Sequence, residues 1–202
     1  MKKILIATIL ASSLISTSSF ATGAYLGIQG GESWMSLKNN ESGKDTQDNN
    51  SFSSDVHFGY LFPINDSFSI GPEIGIGKDF FEPEIAEVLF GITHVQTDYY
   101  MPVLLRSQYQ ISDDFYVFGK LGVTYVSQFV IESINFSDKN YNVKKWQGSF
   151  GAGLGYNFTN SFAIELSYNY VGGSDTPPVF NKDKYDDTAK FQNISIGLNY
   201  SF

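Results

Sequence analysis

The sequence predicts an all-β chain, folded as an eight-stranded antiparallel up-and-down transmembrane β-barrel. Three observations predict it. A turn signal recurs at an interval of 47 residues. Between the turns, apolar residues alternate with small or polar ones. The composition joins many aromatics and glycines to few charges: 202 residues hold 18 Phe, 13 Tyr and 19 Gly, with 17% charged. Mean hydropathy is nevertheless −0.14, ordinary for a soluble protein.

The N-terminus reads as an address. Lys2 and Lys3 precede an apolar run, Ile4–Ile15, and Ser19-Phe20-Ala21 is a small-x-small cleavage site. A signal peptide over 1–21 is expected, leaving 22–202 as the barrel domain. A membrane anchor helix fits less well, because the apolar run is short of the ~20 residues a span requires and Ser and Thr fill positions 16–19. Losing two lysines leaves 11 basic against 21 acidic residues, a charge of −10. No cysteine follows the site to carry a lipid.

The turn signals are Pro63-Ile64-Asn65-Asp66-Ser67-Phe68, Ile111-Ser112-Asp113-Asp114-Phe115 and Phe158-Thr159-Asn160-Ser161-Phe162. Phe68, Phe115 and Phe162 keep the 47-residue interval, as do Asp66, Asp113 and Asn160. Asn, Asp and Ser favour turns because their side chains bond the local backbone. One further interval back from Phe68 reaches Ala21. The chain therefore reads as four units, each a strand, a long polar loop and a second strand. Short turns at one end and long loops at the other belong to outer-membrane barrels. A soluble solenoid or propeller of similar period is the competing architecture, and face polarity separates the two.

Taken in order, Ala24, Leu26 and Ile28 alternate with Tyr25, Gly27 and Gln29. Val56, Phe58, Tyr60 and Phe62 alternate with Asp55, His57 and Gly59. Phe68, Ile70, Ile74 and Ile76 oppose Ser69, Gly71, Glu73, Gly75 and Gly77. Tyr99, Met101, Val103 and Leu105 oppose Asp98, Tyr100, Leu104 and Arg106. The run Phe115–Phe129 is the least regular. Phe150, Ala152, Leu154, Tyr156 and Phe158 oppose Ser149, Gly151, Gly153, Gly155 and Asn157. Phe162, Ile164, Leu166, Tyr168 and Tyr170 oppose Ala163, Glu165, Ser167 and Asn169. Ile194 to Phe202 closes the series with Ile, Ile, Leu, Tyr and Phe against Asn, Ser, Gly, Asn and Ser. The bulky set suits lipid, and the small set suits the narrow inside of a small barrel. Aromatics gather near strand ends, where an interfacial girdle sits. Pro72 and Pro102 interrupt two strands and are expected to mark bulges.

Composition excludes several functions. Without cysteine there is no disulfide, thiol chemistry or Cys-ligated zinc. Two histidines leave little for a metal cluster, and neither metal nor cofactor is expected. A charge of −8 argues against nucleic acid. Gly151-Ala152-Gly153-Leu154-Gly155 lies within a strand and so fails the structural test for a nucleotide loop. His57 reads as an interior hydrogen-bond partner. His94 lies near a loop, and nothing in the spacing assembles it with a serine and an acid for lipid A deacylation.

Four inward charges, Glu73, Arg106, Lys120 and Glu165, sum to zero. A charge inside a narrow barrel needs a partner, so a salt-bridge layer plugging the lumen is expected. Specificity falls to the loops. Ser36–Ser51 and Gly172–Ala189 are polar and expected to be mobile. The second loop is acidic and places Ile85, Val88 and Leu89 at helical spacing, as candidate partner contacts. An extended strand pair under a solvated loop is the equal alternative there. Loop Ile131–Lys145 is mildly basic, and its lysines are candidates for lipopolysaccharide phosphates.

On these residues the chain resembles the small outer-membrane β-barrel family, the OmpA transmembrane-domain and OmpX/Ail-like group. Tyr200-Ser201-Phe202, with alternation back to Ile194, looks like the C-terminal signal that the barrel assembly machinery reads. The resemblance likens Glu73, Arg106, Lys120 and Glu165 to the internal ion-pair layer of OmpA-like barrels. No peptidoglycan-binding segment follows Phe202, so that family's anchoring role is not expected. The expectation is a monomeric, non-enzymatic protein of a Gram-negative outer membrane. Its partners are membrane lipid, lipopolysaccharide, the assembly machinery and a host or environmental ligand at the loops. A small pore and a lipid A-modifying enzyme are the alternatives.

Overall fold

A computed structural model of the chain describes residues 23–37, 47–80, 84–88, 91–134, 137–173 and 188–202. These form nine strands: β1 Gly23–Leu37, β2 Gln47–Pro63, β3 Phe68–Asp79, β4 Glu84–Val88, β5 Gly91–Gln110, β6 Phe115–Ile134, β7 Ser137–Asn157, β8 Phe162–Val171 and β9 Phe191–Ser201. Every pairing is antiparallel. The β1–β9 and β3–β5 ladders close the sheet into an eight-stave barrel, and β4 adds to the upper part of β5. Closure leaves none of the eight staves as a free edge, which a strand structure in lipid requires.

The three turns at the short-turn end repeat one geometry. Residues Ile64, Ile111 and Phe158 each donate a backbone N–H to the carbonyl of Phe68, Phe115 or Phe162. Asn65, Ser112 and Thr159 each accept the amide of that same phenylalanine through a side-chain oxygen. The 47-residue interval is thus a repeated hairpin. Short turns lie on the periplasmic side of such barrels.

Burial follows the alternation. Leu26, Ile28, Val56, Ile74, Val103, Leu154, Ile164 and Ile196 are exposed on the outer wall, while Asp55, His57, Glu73, Arg106 and Glu165 are buried within. A water-soluble protein does not expose so continuous an apolar belt. Lipid is the solvent this wall fits.

At five points the structure corrects the expectation or decides between the alternatives. β6 alternates from Phe115 to Thr124, with Tyr116, Phe118, Lys120 and Thr124 inward and Phe115, Val117, Leu121 and Val123 outward, and beyond it Val126, Ser127 and Gln128 are buried in succession. Its pattern was hard to read because both faces carry bulky residues. Asp98 is exposed rather than inward, because a bulge between Thr97 and Tyr99 reverses the parity of β5 above it. Pro72 and Pro102 mark no bulge. The registers of β2–β3, β3–β5 and β5–β6 run unshifted past them, and the prolines only interrupt the ladders locally. The basic segment 131–145 is not a loop: β6 and β7 pair up to Ile134↔Ser137. In the acidic loop, helical spacing did not make a helix. Ile85 and Val88 lie on β4, paired with β5, and Leu89 lies outside the described residues. Extended pairing satisfies the backbone of a five-residue segment better than one isolated helical turn.

Candidate functional site

The four inward charges come from three staves of one wall and one stave opposite. Arg106 on β5 and Lys120 on β6 are directly opposed in the ladder. Two cations so placed repel, and the acids relieve them. Glu73 on β3 lies 2.7 Å from Lys120 Nζ and 3.5 Å from Arg106 Nη1. Glu165 on β8 spans the lumen to Arg106, with Nη1 and Nη2 donating at 3.3 and 2.5 Å. A phenol hydroxyl adds a further bond to each carboxylate, while the buried Arg106 Nε has no hydrogen-bond partner. Tyr25 donates to Glu73 and Tyr116 to Glu165, each at 2.6 Å. Arg106 further donates to Gln108 at 2.9 Å. Its guanidinium lies 4.2 Å from the centre of the Phe118 ring. Such charge-assisted, forked bonds in a dry interior are stronger than neutral ones.

Four aromatics point inward: Tyr25 and Tyr100 as the alternation sets them, and Tyr116 and Phe118 from the irregular run to which the sequence assigns no face. Tyr25, Tyr100, Tyr116 and Phe118 are all buried in the lumen. Each lies on a glycine across the sheet: Tyr25 on Gly59, Tyr100 on Gly77, Tyr116 on Gly155 and Phe118 on Gly153. A Cβ at any of these glycines would overlap the ring. The glycine-rich inner face is therefore a set of sockets. Each ring and its glycine are direct cross-strand partners on adjacent staves, a match that only the strand register reveals.

Toward the outer end a second polar layer follows. Asp55 accepts from Gln29 at 2.5 Å and lies 3.1 Å from His57 Nδ1, and His57 Nε2 lies 3.0 Å from the Asn199 side-chain oxygen. His57 is thus an interior partner. Above it, the chain just before β9 folds across the lumen. Gln128 clasps Ala189 at both backbone groups, at 2.8 and 3.2 Å, and Gln147 donates to Thr188 at 2.8 Å. Thr188 and Ala189 are buried, so this part of segment 172–189 is fixed rather than mobile. Phe191, Val126, Val171 and Tyr100 pack into an apolar cluster beside the clasp. Between cap and ion pairs lies a cavity of about 40 Å³ bordered by Asp55, His57, Glu73, Lys120, Thr124 and Asn193, room for about three waters.

At the opposite end, Tyr200 and Phe202 stand on the outer wall, their rings 5.0 Å apart edge to face, and Tyr200 meets Phe162 at 4.9 Å. Phe202 donates its amide to Ala24, tying the terminus to the first stave.

The sequence matches the outer membrane protein beta-barrel domain family over residues 7–202. Its fold is similar to Ail, the attachment invasion locus protein of Yersinia pestis, at 18% identity, covering 90% of this chain and 99% of Ail with a TM-score of 0.54. It is similar to Neisserial surface protein A, at 14% identity over 90% and 98% of the two chains, TM-score 0.52. It is also similar to OprG of Pseudomonas aeruginosa, at 15% identity over 93% and 99%, TM-score 0.51. At such identities the likeness carries the fold alone. No protein of curated function matches the chain. The family match spans nearly the whole sequence and agrees with the closed eight-stave barrel, so the chain belongs to the outer membrane protein beta-barrel domain family and resides in a Gram-negative outer membrane.

Proposed function

We propose that this barrel is a closed, non-enzymatic protein whose lumen is plugged and whose outer end is a surface for host or environmental ligands. The observation that carries the plug is the network of Glu73, Arg106, Lys120 and Glu165, which joins opposite walls with every charge buried. Eight staves enclose an interior that side chains fill, and here they do so with paired charges rather than a free ion path. Planar-bilayer recordings of the refolded full chain test this. No stable unitary conductance is expected; a reproducible one overturns the plug.

The surface role rests on strands that continue past the apolar belt. β5, β6 and β7 extend together to Gly91, Ile134 and Ser137, and Ile85, Val88 and Leu89 are the proposed contacts beside them. Cells expressing the full chain are expected to bind a host-cell surface better than cells lacking it. Deletion within segment 79–91 or 172–189 is expected to abolish the difference. Equal binding by both strains overturns the surface role. In the same reading, residues 1–21 are a signal peptide. Tyr200 and Phe202 form the segment read by the barrel assembly machinery, and the apolar belt meets membrane lipid and lipopolysaccharide.

A further inference from the structure

Four carboxylates are buried in the described lumen: Asp55, Glu73, Asp79 and Glu165. Glu73 and Glu165 are paired with Arg106 and Lys120. Asp55 is held by Gln29 and His57, with the Tyr100 hydroxyl at 3.5 Å. Asp79 stands apart. It is 4% exposed, and the hydroxyls of Thr97 and Ser33 reach its carboxylate. No ion pair to it occurs among the described residues, and its Oδ1 has no hydrogen-bond partner. Directly across the β2–β3 ladder is Ser53. Ser53 is 1% exposed, and its Oγ is likewise without a partner.

Two buried oxygens without partners thus share one cross-strand pair on the inner face. Ser33, Ser53, Asp79 and Thr97 belong to β1, β2, β3 and β5, four successive staves of the barrel. One inward position below, the Tyr100 hydroxyl lies over Gly77. A buried carboxylate without a counter-charge is strongly disfavoured, and here every donor that reaches Asp79 is a neutral hydroxyl.

We propose that a hard divalent cation binds at the outer end of the lumen, held by Asp79 Oδ1 and Ser53 Oγ with the Tyr100 hydroxyl and Asp55 alongside. The donors are all oxygen, which suits Ca²⁺ or Mg²⁺ and not the softer transition metals. The two carboxylates lacking a Lys or Arg partner, Asp55 and Asp79, match its charge. No group of three or more acidic or imidazole side chains assembles as a metal cluster among the described residues. The site therefore belongs to the weak end of the Ca²⁺ range, about 10⁻⁴ to 10⁻³ M. A bound ion would tie three neighbouring staves, β2, β3 and β5, together at the outer rim.

The test uses the full chain, stripped of metal and refolded in a detergent without phosphate or charge. Tb³⁺ is titrated at ionic strength held constant with KCl, tyrosine-sensitised emission is read, and Ca²⁺ is added as competitor. One saturable Tb³⁺ signal displaced by Ca²⁺ is expected. Asp79→Asn is expected to weaken it by about tenfold or more, and Ser53→Ala, which keeps the charge, by a smaller factor. Heat-dependent gel mobility verifies that each variant is folded. Absence of saturable binding, or equal affinity in wild type and Asp79→Asn, overturns the proposal. Where Asp79→Asn does not fold, unchanged affinity in Ser53→Ala overturns it.

Discussion

Arg106 makes more polar contacts than any other lumen side chain described, reaching Glu165, Glu73 and Gln108 above the Phe118 ring. Arg106→Ala leaves Glu165 with one donor, Tyr116, and removes half the counter-charge of the layer. Breaking a buried pair from one side costs about 3–5 kcal/mol, because the stranded charge remains desolvated. Urea titration of the refolded barrel measures it; a loss below about 1 kcal/mol would place the pair among weak surface bridges. Gly155→Ala tests the sockets. Its Cβ overlaps the Tyr116 ring, and such overpacking costs about 1–3 kcal/mol. Gly148→Ala, whose Cβ meets nothing within 4 Å, is the control and stays within about 0.5 kcal/mol. At this scale the charges were legible and the sockets were not. A charged residue inside an apolar alternation announces its face. A tyrosine suits lipid, interface or lumen alike, and only the glycine facing it decides.

β6 shows how one element lives in two solvents. Lys120 is 4% exposed and its neighbour Leu121 69%, because successive side chains point to opposite faces. Leu121→Arg puts a cation on the lipid face. It is expected to cost about 2–4 kcal/mol if Leu121 sits near the bilayer midplane, read as lost unfolding free energy in lipid vesicles. A cost near zero would place Leu121 at the interface instead. Strand existence was legible wherever lipid imposes alternation. Toward the outer end, β6 and β7 stay paired through Lys139, Lys144 and Lys145, while period 2 fades from the sequence. Cross-strand hydrogen bonds sustain those ladders without a hydrophobic pattern to report them. The bulge at Asp98 was hidden for the same reason: nothing in one strand's sequence states how its partner's register is kept.

In the proposed reading the lumen is closed twice, by the ion pairs and by the cap in which Gln128 clasps Ala189. The two closures are separate in space and in chemistry, so removing one leaves the other. Gln128→Ala is expected to show no unitary conductance in planar bilayers. Steady channels from this variant alone would mean that the cap, and not the charge layer, is the seal. The cap was invisible in the sequence, since Thr188 and Ala189 end a polar segment that reads as solvated.

The sequence by itself determined the barrel: the number of staves, the faces of most strands, the short-turn repeat and the four charges that meet inside. These follow from local rules, turn chemistry and period-2 patterning, which a single chain carries along its length. Only the tertiary structure decided which charge meets which, which glycine receives which ring, where the ladders end and what covers the outer lumen. Those depend on register and on distances across the barrel, where residues as far apart in the chain as Ala24 and Phe202 share one hydrogen bond, and no local pattern encodes such a meeting.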